Sequence, residues 1–434
     1  MNRYWLILLA FPVLFFTACE DDEPLQEREV QNAQSAEELE EINALNQEVY
    51  DIMQEWYLWN DQLPDVDLAD FESANELMNA LKYSPLDKWS YIEKEEEYDA
   101  YFEQGEYEGY GFRMAFDDDG NLRVAFVYND SPFGRAGVQR SWIINKINGK
   151  LVRDLREDGA LNQALEGSSH NFEIIRTDGS TVSETVTKTT IGINTVLKDQ
   201  IIQLNQKEVG YLAFNSFLAT SEEELRASFQ KFKDADIDEM IIDLRYNGGG
   251  RVNIASWMAS NILGSQAIGR NFMEYQFNAD KADEYNEQEG FVAPEIPLDL
   301  DHVIFITSSA SASASELLIN GLRPFIDVTL IGDDTYGKPV GSAPFKFGGY
   351  AINPIIFKIL NDQGIGEYYD GIQADAYVID DLTHDLGDPE EARLKEALYF
   401  IEYGIFSGVA ARQSSFIKDQ QIEMEGFRRE IGAY

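Results

Sequence analysis

An alternation of strand-like and helix-like segments over residues 210–331 constrains the fold more than any other feature of the sequence. Short runs rich in β-branched and aromatic residues are separated by stretches whose apolar side chains recur at helical spacing. These segments are residues 210–217, 222–233, 239–244, 252–263, 302–307, 315–322 and 328–331. Because such alternation is typical of βαβ units, we predict an α/β core with a mostly parallel sheet over residues 191–410.

Two segments of different character precede this core. Over residues 39–104, apolar side chains recur at helical spacing and two prolines interrupt the pattern, which predicts an N-terminal helical domain. Over residues 105–190, short β-type runs alternate with turn signals such as Asn148-Gly149, which predicts a β domain. The chain as a whole is expected to be a multidomain α+β protein, with a polar C-terminal tail over residues 411–434.

The balance of charged side chains restricts the partners and the chemistry. The chain carries 78 acidic side chains against 34 basic ones, a formal net charge of −44. Such a surface would repel a polyphosphate, so we expect no nucleic acid partner. A single cysteine excludes an intramolecular disulfide and every multi-cysteine metal site, and three histidines leave little room for a histidine-rich one. An enzyme with this composition must use other groups for proton transfer.

The N-terminus has the layout of an export signal. Arg3 is followed by an apolar run over residues 5–16, which is too short to span a bilayer, since spanning takes about 20 residues. Small residues then lead to Cys19, and the order resembles the lipobox of bacterial lipoproteins. We therefore expect a signal peptide over residues 1–18, lipidation of Cys19 and an acidic tether over residues 19–38. The alternative is a plain signal peptide or weak anchor with an incidental cysteine.

Three of the predicted strands end in loops of unusual composition. The first strand runs into a glycine-rich loop at residues 245–250, the second into a Ser/Ala run at residues 308–316, and the third into residues 335–338. The carboxyl ends of parallel strands share one edge of a sheet, and functional sites form at that edge. A right-handed crossover would therefore bring Ser313 and Lys338 together.

A serine and a lysine at this edge could act as nucleophile and base. A serine hydroxyl is a poor nucleophile until a neighbouring base takes its proton, and a buried lysine can be that base. At a helix N-terminus, Ser313 would place the amide of Ala314 where an oxyanion develops. The glycines at 248–250 lack a Cβ and can turn a second N–H toward the same point. Each motif alone could be a packed turn, but the three together favour a serine–lysine site.

These motifs resemble the signatures of the C-terminal processing (tail-specific) protease family. The similarity rests on residues 243–249, 311–316 and 336–338, and on a later motif at residues 371–375. It extends over roughly residues 85–400, and the helical segment before it resembles the N-terminal domain of lipoprotein members of the family.

The resemblance implies a role for each residue of the site. Ser313 corresponds to the nucleophile and Lys338 to the general base. The oxyanion hole would be formed by the backbone amides of Ala314 and of Gly248 or Gly249. No metal or organic cofactor is implied.

The chain departs from the family pattern at one position near the lysine. Many members have a glutamine four residues after the lysine, which is thought to orient it, whereas this chain has Ser342 there. Either Ser342 or another group would then orient the side chain of Lys338.

The β domain resembles a PDZ domain. Residues 109–112, Gly-Tyr-Gly-Phe, are similar to a carboxylate-binding loop, and two stretches between residues 131 and 150 are similar to the later PDZ signature. In such a loop, successive N–H groups bind a C-terminal carboxylate while the peptide adds a strand to the sheet. We therefore expect Tyr110, Gly111 and Phe112 to bind peptide.

Together these features predict a lipid-anchored serine endopeptidase of the bacterial cell envelope, at the periplasmic face or the cell surface. Its partners would be the membrane and unfolded or C-terminal polypeptide segments presented by the PDZ-like domain. The missing glutamine prompts an alternative, a catalytically impaired peptide-binding lipoprotein of the same fold. A glycan- or nutrient-binding lipoprotein is suggested only by the export signal and the acidity, and it leaves the three loops unexplained. The sequence does not indicate an oligomeric state.

Overall fold

The computed structural model describes residues 25–408, with side chains from residue 38 onward. The signal peptide predicted over residues 1–18, the lipidation site Cys19 and the tail predicted over residues 411–434 lie outside this range. Within it, no helix combines the length and the apolar character needed to cross a membrane.

The first unit of the fold, which we call the N-terminal unit, covers residues 25–104 and is mainly helical. Helix α1 begins inside the segment predicted as a tether, because residues 25–38 contain helix-forming Glu, Gln and Ala and neither glycine nor proline. A single π-helical turn at Ala100–Gln104 ends the unit. Its regular elements are α1 (Leu25–Trp56), α2 (Ala74–Leu81), β1 (Tyr91–Lys94) and α3 (Glu95–Asp99).

The second unit, the β unit, covers residues 105–192. Five strands form an antiparallel sheet in the order β3-β4-β5-β7-β8, with β6 paired to β5, and β2 pairs separately with β9. Phe112, Phe133 and Phe172 fill its core. Its assignment as a PDZ domain stays a prediction. The elements are β2 (Glu106–Gly109), β3 (Phe112–Phe116), β4 (Leu122–Val127), α4 (Pro132–Arg135), β5 (Ile143–Ile147), β6 (Lys150–Leu151), α5 (Val152–Glu157), α6 (Leu161–Ala164), β7 (Ser169–Ile175), β8 (Thr181–Thr187) and β9 (Thr189–Gly192).

The third unit, the core unit, covers residues 193–408 and contains the alternating strands and helices expected from the sequence. Its elements are β10 (Val196–Leu204), β11 (Lys207–Phe214), α7 (Ser221–Asp234), β12 (Glu239–Asp243), α8 (Val252–Leu263), β13 (Asn271–Phe277), α9 (Ala282–Tyr285), β14 (Glu287–Gly290), β15 (His302–Thr307), α10 (Ala314–Leu322), β16 (Asp327–Gly332), β17 (Val340–Ser342), β18 (Phe345–Phe347), β19 (Tyr350–Asn353), β20 (Ile355–Leu360), β21 (Ala376–Tyr377) and α11 (Ala392–Tyr403).

The main sheet of the core unit is mixed. Its strand order is β10-β11-β12-β15-β16-β21, in which β10 and β11 are antiparallel and the other four neighbouring pairs are parallel. The antiparallel pair arises because only Asn205 and Gln206 separate the two strands, and a parallel crossover needs a dozen residues or more. Two smaller antiparallel sheets, β14-β13-β20-β17 and β1-β19-β18, complete the fold.

Helices cover both faces of the main sheet. Because successive strand residues point to opposite faces, Leu212 and Phe214 of β11 pack in the cluster that contains α7, α8 and α10. Tyr211 and Ala213 pack in the cluster that contains α11. The strands are thus buried on both faces and keep one edge for loops.

The N-terminal unit shares its hydrophobic core with the core unit. Val49 and Met53 of α1 are buried in one cluster with Ile352 and Ile355, and β1 pairs with β19. At this contact the two units share one apolar core, so we expect them to unfold together.

Truncation of Ile352, a fully buried residue in this shared cluster, tests the expectation. Ile352→Ala should lower the free energy of unfolding by about 2–5 kcal/mol, because it leaves a cavity in the core. Urea unfolding followed by tryptophan fluorescence should keep a single transition. The matched control is Ile268→Ala, since Ile268 is 72% exposed. Two resolved transitions in Ile352→Ala would show that the units unfold independently.

Candidate active site

Ser313 lies where the chain passes from β15 into α10. It is the N-cap residue of α10, and its φ of 54° and ψ of −113° are values that L residues rarely adopt. A backbone conformation of this kind costs about 1–3 kcal/mol and persists only where the surrounding contacts impose it. One such contact is the hydrogen bond that the Ser313 N–H donates to Glu316 Oε2 at 2.9 Å.

The glycine-rich loop after β12 packs directly against Ser313. A Cβ added to Gly249 would lie 2.8 Å from the Ser313 Cβ and 2.9 Å from the Ala314 nitrogen, and the φ of Gly249 is +105°. Only glycine permits this approach. Asn247 holds the two loops together, because its carbonyl accepts hydrogen bonds from the Ala312 N–H at 3.1 Å and from the Ser315 hydroxyl at 3.1 Å.

The backbone amides near Ser313 differ in their bonding. The Gly249 N–H donates to Asn247 Oδ1 at 2.8 Å. For the N–H groups of Gly248 and Ala314, no acceptor is found among residues 38–408. Of the two glycines that the sequence left as alternatives, Gly249 has its N–H bonded to Asn247, and Gly248 has an N–H without an acceptor among these residues.

Lys338 reaches the same place from the loop after β16. The residue is 6% exposed, and its backbone N–H donates to Glu316 Oε2 at 2.8 Å. Gly337, with a φ of +92°, makes the turn before Lys338, and β17 starts two residues after Lys338.

Ser313 and Lys338 line one cavity of about 250 Å³ at the edge of the main sheet. The cavity also includes the other site residues expected in the core unit, which are Gly248, Gly249, Ala314 and Ser342. Ser313, Lys338 and the two residues whose N–H groups lack an acceptor therefore border a common space. Within residues 38–408, no group of three or more His, Cys, Asp or Glu side chains is placed to hold a metal ion.

The N-terminal unit supplies part of the cavity wall, which the sequence did not indicate. Tyr98, Tyr101 and Phe102, from α3 and the π-helical turn, line the cavity. The Tyr101 hydroxyl lies 3.1 Å from Ser216 Oγ of the core unit. This contribution depends on tertiary packing, and no local motif in the sequence could have revealed it.

Glu316 is a second feature that the sequence placed in a motif without assigning it a role. Its carboxylate is fully buried and accepts hydrogen bonds from Ser313, Thr335, Gly337 and Lys338. Burial raises the pKa of Glu316, although these donors oppose the shift. The one sequence signal was an acidic residue within an otherwise small and apolar helix start.

The loop expected to bind peptide in the β unit lies elsewhere. Tyr110 is 1% exposed, and its ring packs with that of Phe112 in the core of the β unit. A Cβ on Gly111 would lie 2.0 Å from the Ser131 Cβ, so the loop is packed closely at that point. None of these three residues is among those that line the cavity at Ser313, as far as the structure describes it.

A buried charge network connects the β unit to the core unit beside the glycine-rich loop. Arg140 of the β unit donates to the Tyr246 hydroxyl at 2.8 Å and to Asp380 Oδ1 at 3.1 Å. Arg245 donates to Asp380 Oδ1 at 2.8 Å and to Glu391 Oε1 at 2.7 Å. Burial alone would raise the pKa of Asp380, but Arg245 and Arg140 hold it well below its usual range.

The sequence pattern of the peptidase family S41 matches residues 208–378, and that of the peptidase S41 N-terminal domain matches residues 44–91. Together the matches cover about half of the chain and include the loops of Ser313 and Lys338. The chain belongs to peptidase family S41, and this confirms the family that the sequence motifs predicted.

Its relatives include proteins named as carboxyl-terminal processing proteases. The carboxy-terminal processing protease CtpA of Bacillus subtilis is 26% identical over 235 residues, which are 54% of this chain and 47% of the relative. The carboxyl-terminal-processing protease of a Synechocystis species is 24% identical over 318 residues, 72% of each chain. The chain spans about half the length of the first curated relatives it matches.

Two solved structures share the fold. A Bacteroides fragilis protein described as an S41 protease is 24% identical, with a TM-score of 0.67 over 82% of this chain and 96% of its own. The photosystem II D1 C-terminal processing protease is 14% identical, with a TM-score of 0.50 over 78% of this chain and 93% of its own. At these identities the likeness establishes a multidomain fold of helices and sheets.

The carboxylates of the buried network make stability depend on pH. A carboxyl with a lower pKa in the folded chain stabilises it fully above the unfolded value, near 3.9 for Asp. That contribution is lost as the pH falls toward the folded value. Asp380→Asn removes one such group. The free energy of unfolding of this variant would be measured by urea titration between about pH 5 and pH 3. It should fall less steeply on acidification than that of wild type.

The exposed Asp283 provides the control, because it lies on α9 far along the chain from this network. Asp283→Asn should keep the wild-type slope. If Asp380→Asn also kept that slope, the network would not be a source of acid sensitivity.

Proposed function

We propose that the chain is a serine endopeptidase that cleaves unfolded or C-terminal polypeptide segments through Ser313 and Lys338. The observation that supports this most strongly is the cavity that both residues line, together with Gly248 and Ala314. Membership of peptidase family S41 supports peptide-bond hydrolysis, and the names of the relatives support C-terminal segments as substrates.

In the proposed reaction, Lys338 is the base or the acid in every proton transfer. The Ser313 hydroxyl attacks the scissile carbonyl carbon while Lys338 Nζ takes its proton, and the N–H groups of Ala314 and Gly248 bind the oxyanion. The C–N bond then breaks, and the leaving amine takes the proton from Lys338. Lys338 next removes a proton from water, whose attack hydrolyses the ester on Ser313 and restores the hydroxyl. This scheme needs neither a metal nor an organic cofactor.

Ser342 is our candidate for orienting the side chain of Lys338. It lies on β17, four residues after the lysine, and lines the same cavity. Its short side chain in place of a glutamine favours the second candidate function, a peptide-binding protein with impaired turnover. A fluorophosphonate probe distinguishes the two, since only an active serine reacts with it rapidly.

We propose that the β unit binds the C-terminal part of the substrate at Tyr110–Phe112. β3, which begins at Phe112, is the edge strand of its sheet and pairs with β4 on one side only among the strands described. An edge strand can accept a peptide as an additional strand. The burial of Tyr110 and Phe112 supports a role for their backbone rather than their rings.

Variants of the two reacting residues test the proposal. Ser313→Ala and Lys338→Ala should each lower kcat/KM for a denatured protein by about 10³-fold or more, because the nucleophile or its base is lost. Cleavage would be followed by gel electrophoresis, with thermal melting to verify folding. Ser309→Ala, in the same loop, and Lys395→Ala, on α11, are matched controls that should stay close to wild type. Undiminished cleavage by Ser313→Ala or Lys338→Ala would rule out the dyad.

We also propose that Cys19 anchors the chain to a membrane of the cell envelope. The support is the sequence order of the export signal that precedes it. Cys19→Ser should move the protein from the membrane fraction to the soluble fraction and abolish incorporation of a fatty-acid analogue. Ser313→Ala, which leaves the signal intact, should stay membrane-bound. Membrane association of Cys19→Ser equal to wild type would contradict a lipid anchor.

A further inference from the structure

A single buried carboxylate is bonded to both halves of the candidate active site. Oε2 of Glu316 accepts the backbone N–H of Ser313 at 2.9 Å and that of Lys338 at 2.8 Å. Oε1 accepts the Gly337 N–H at 2.6 Å and the Thr335 hydroxyl at 2.5 Å. The nucleophile turn and the lysine loop are thus joined through one side chain, although 25 residues separate Ser313 from Lys338.

The same carboxylate also connects the later motif at residues 371–375, which the proposed reaction does not use. Thr335 donates to Glu316, and its Oγ1 accepts the Ile372 N–H at 2.7 Å. The two loops touch closely, since a Cβ on Gly337 would lie 2.6 Å from the Gly371 nitrogen. Gly371 and Ile372 therefore pack against the lysine loop.

The chemistry of these contacts matches an ionised carboxylate. All four partners donate, and a carboxylate offers only acceptors. An amide of the same shape offers one acceptor oxygen and an NH₂ group that would face at least one N–H. The contact with Ser313 matters most, because an acceptor on its N–H helps to hold a backbone conformation that is otherwise unfavourable.

We propose that Glu316 is the positioning residue that sets Ser313 relative to Lys338. This inference rests on the proposed function, because it assigns Glu316 a role in the reaction of those two residues. Glu316 does not touch substrate in this account. It acts by fixing the backbone of Ser313 and the backbone of Lys338 relative to each other.

The experiment compares Glu316→Ala and Glu316→Gln in the full chain. Misplacement of a reacting group by about 1 Å costs about 100-fold in rate, so Glu316→Ala should lower kcat and the rate of Ser313 labelling by a fluorophosphonate by about that factor. KM should change by less than about threefold, because the cavity wall is retained. Glu316→Gln keeps one acceptor and most of the packing, so its kcat and labelling rate should fall by about tenfold. This variant provides the test if the alanine variant does not fold.

Asp87 offers a matched control for a purely structural role. It is also a buried carboxylate with four donors, namely the Trp89 and Ser90 N–H groups and the Tyr57 and Ser90 hydroxyls. Asp87→Asn should lower the melting temperature while kcat and the labelling rate stay within about threefold of wild type. A folded Glu316 variant with wild-type labelling, or an equal loss of kcat in Asp87→Asn, would overturn the inference.

Hydrogen exchange separates this inference from the proposed function. In Glu316→Gln, at least one of the amides of Ser313, Gly337 and Lys338 should exchange faster than in wild type, whereas those of α11 should not change. Unchanged exchange at all three amides would overturn the positioning role. If wild type neither cleaves nor labels while these amides respond, the proposed function fails and Glu316 is left as a structural clamp without a catalytic role.

Discussion

The parallel register of β12, β15 and β16 is the constraint on which the rest of the structure depends. Asp243 pairs with Ile306, and Thr307 pairs with Gly332, so the three strands end at nearly the same level of the sheet. The loops that follow them must therefore share one edge. Small residues make use of this proximity, since Gly249 approaches Ser313 more closely than any side chain would allow. The cavity therefore depends mainly on the strand register, which brings the loops together, and secondly on the side chains that line it.

Buried charges hold these loops in place on both sides of the cavity. Arg245 bonds to Asp243, Asp380 and Glu391 under the glycine-rich loop, and Glu316 bonds to the other two loops. Burying ions is costly, and buried ion pairs contribute little net stability compared with apolar packing. Their value is directional, because each charge accepts or donates several bonds of fixed geometry. The site is therefore held by contacts that define position more than they add stability.

The sequence predicted the alternating strands and helices between residues 210 and 331 closely, because their signals are local. The segment expected at residues 252–263 is helix Val252–Leu263, and the strand expected at residues 302–307 is His302–Thr307. The alternating pattern begins at residue 210 and does not include β10, which pairs antiparallel with β11 across a two-residue connection. The wall formed by Tyr98 could not be predicted, since it depends on packing between units far apart in the chain.

Burial and backbone contacts restrict Lys338, which lies four residues before Ser342. Glu316 and the close turn at Gly337 fix the lysine backbone, so the remaining freedom is that of the side chain alone. That side chain is almost fully enclosed by the cavity, whose walls come from the core unit and from the N-terminal unit. Enclosure of this kind restricts the rotamers that the side chain can adopt. The N-terminal unit therefore contributes to the walls of the cavity that Lys338 lines, and its hydrophobic core is continuous with that of the core unit.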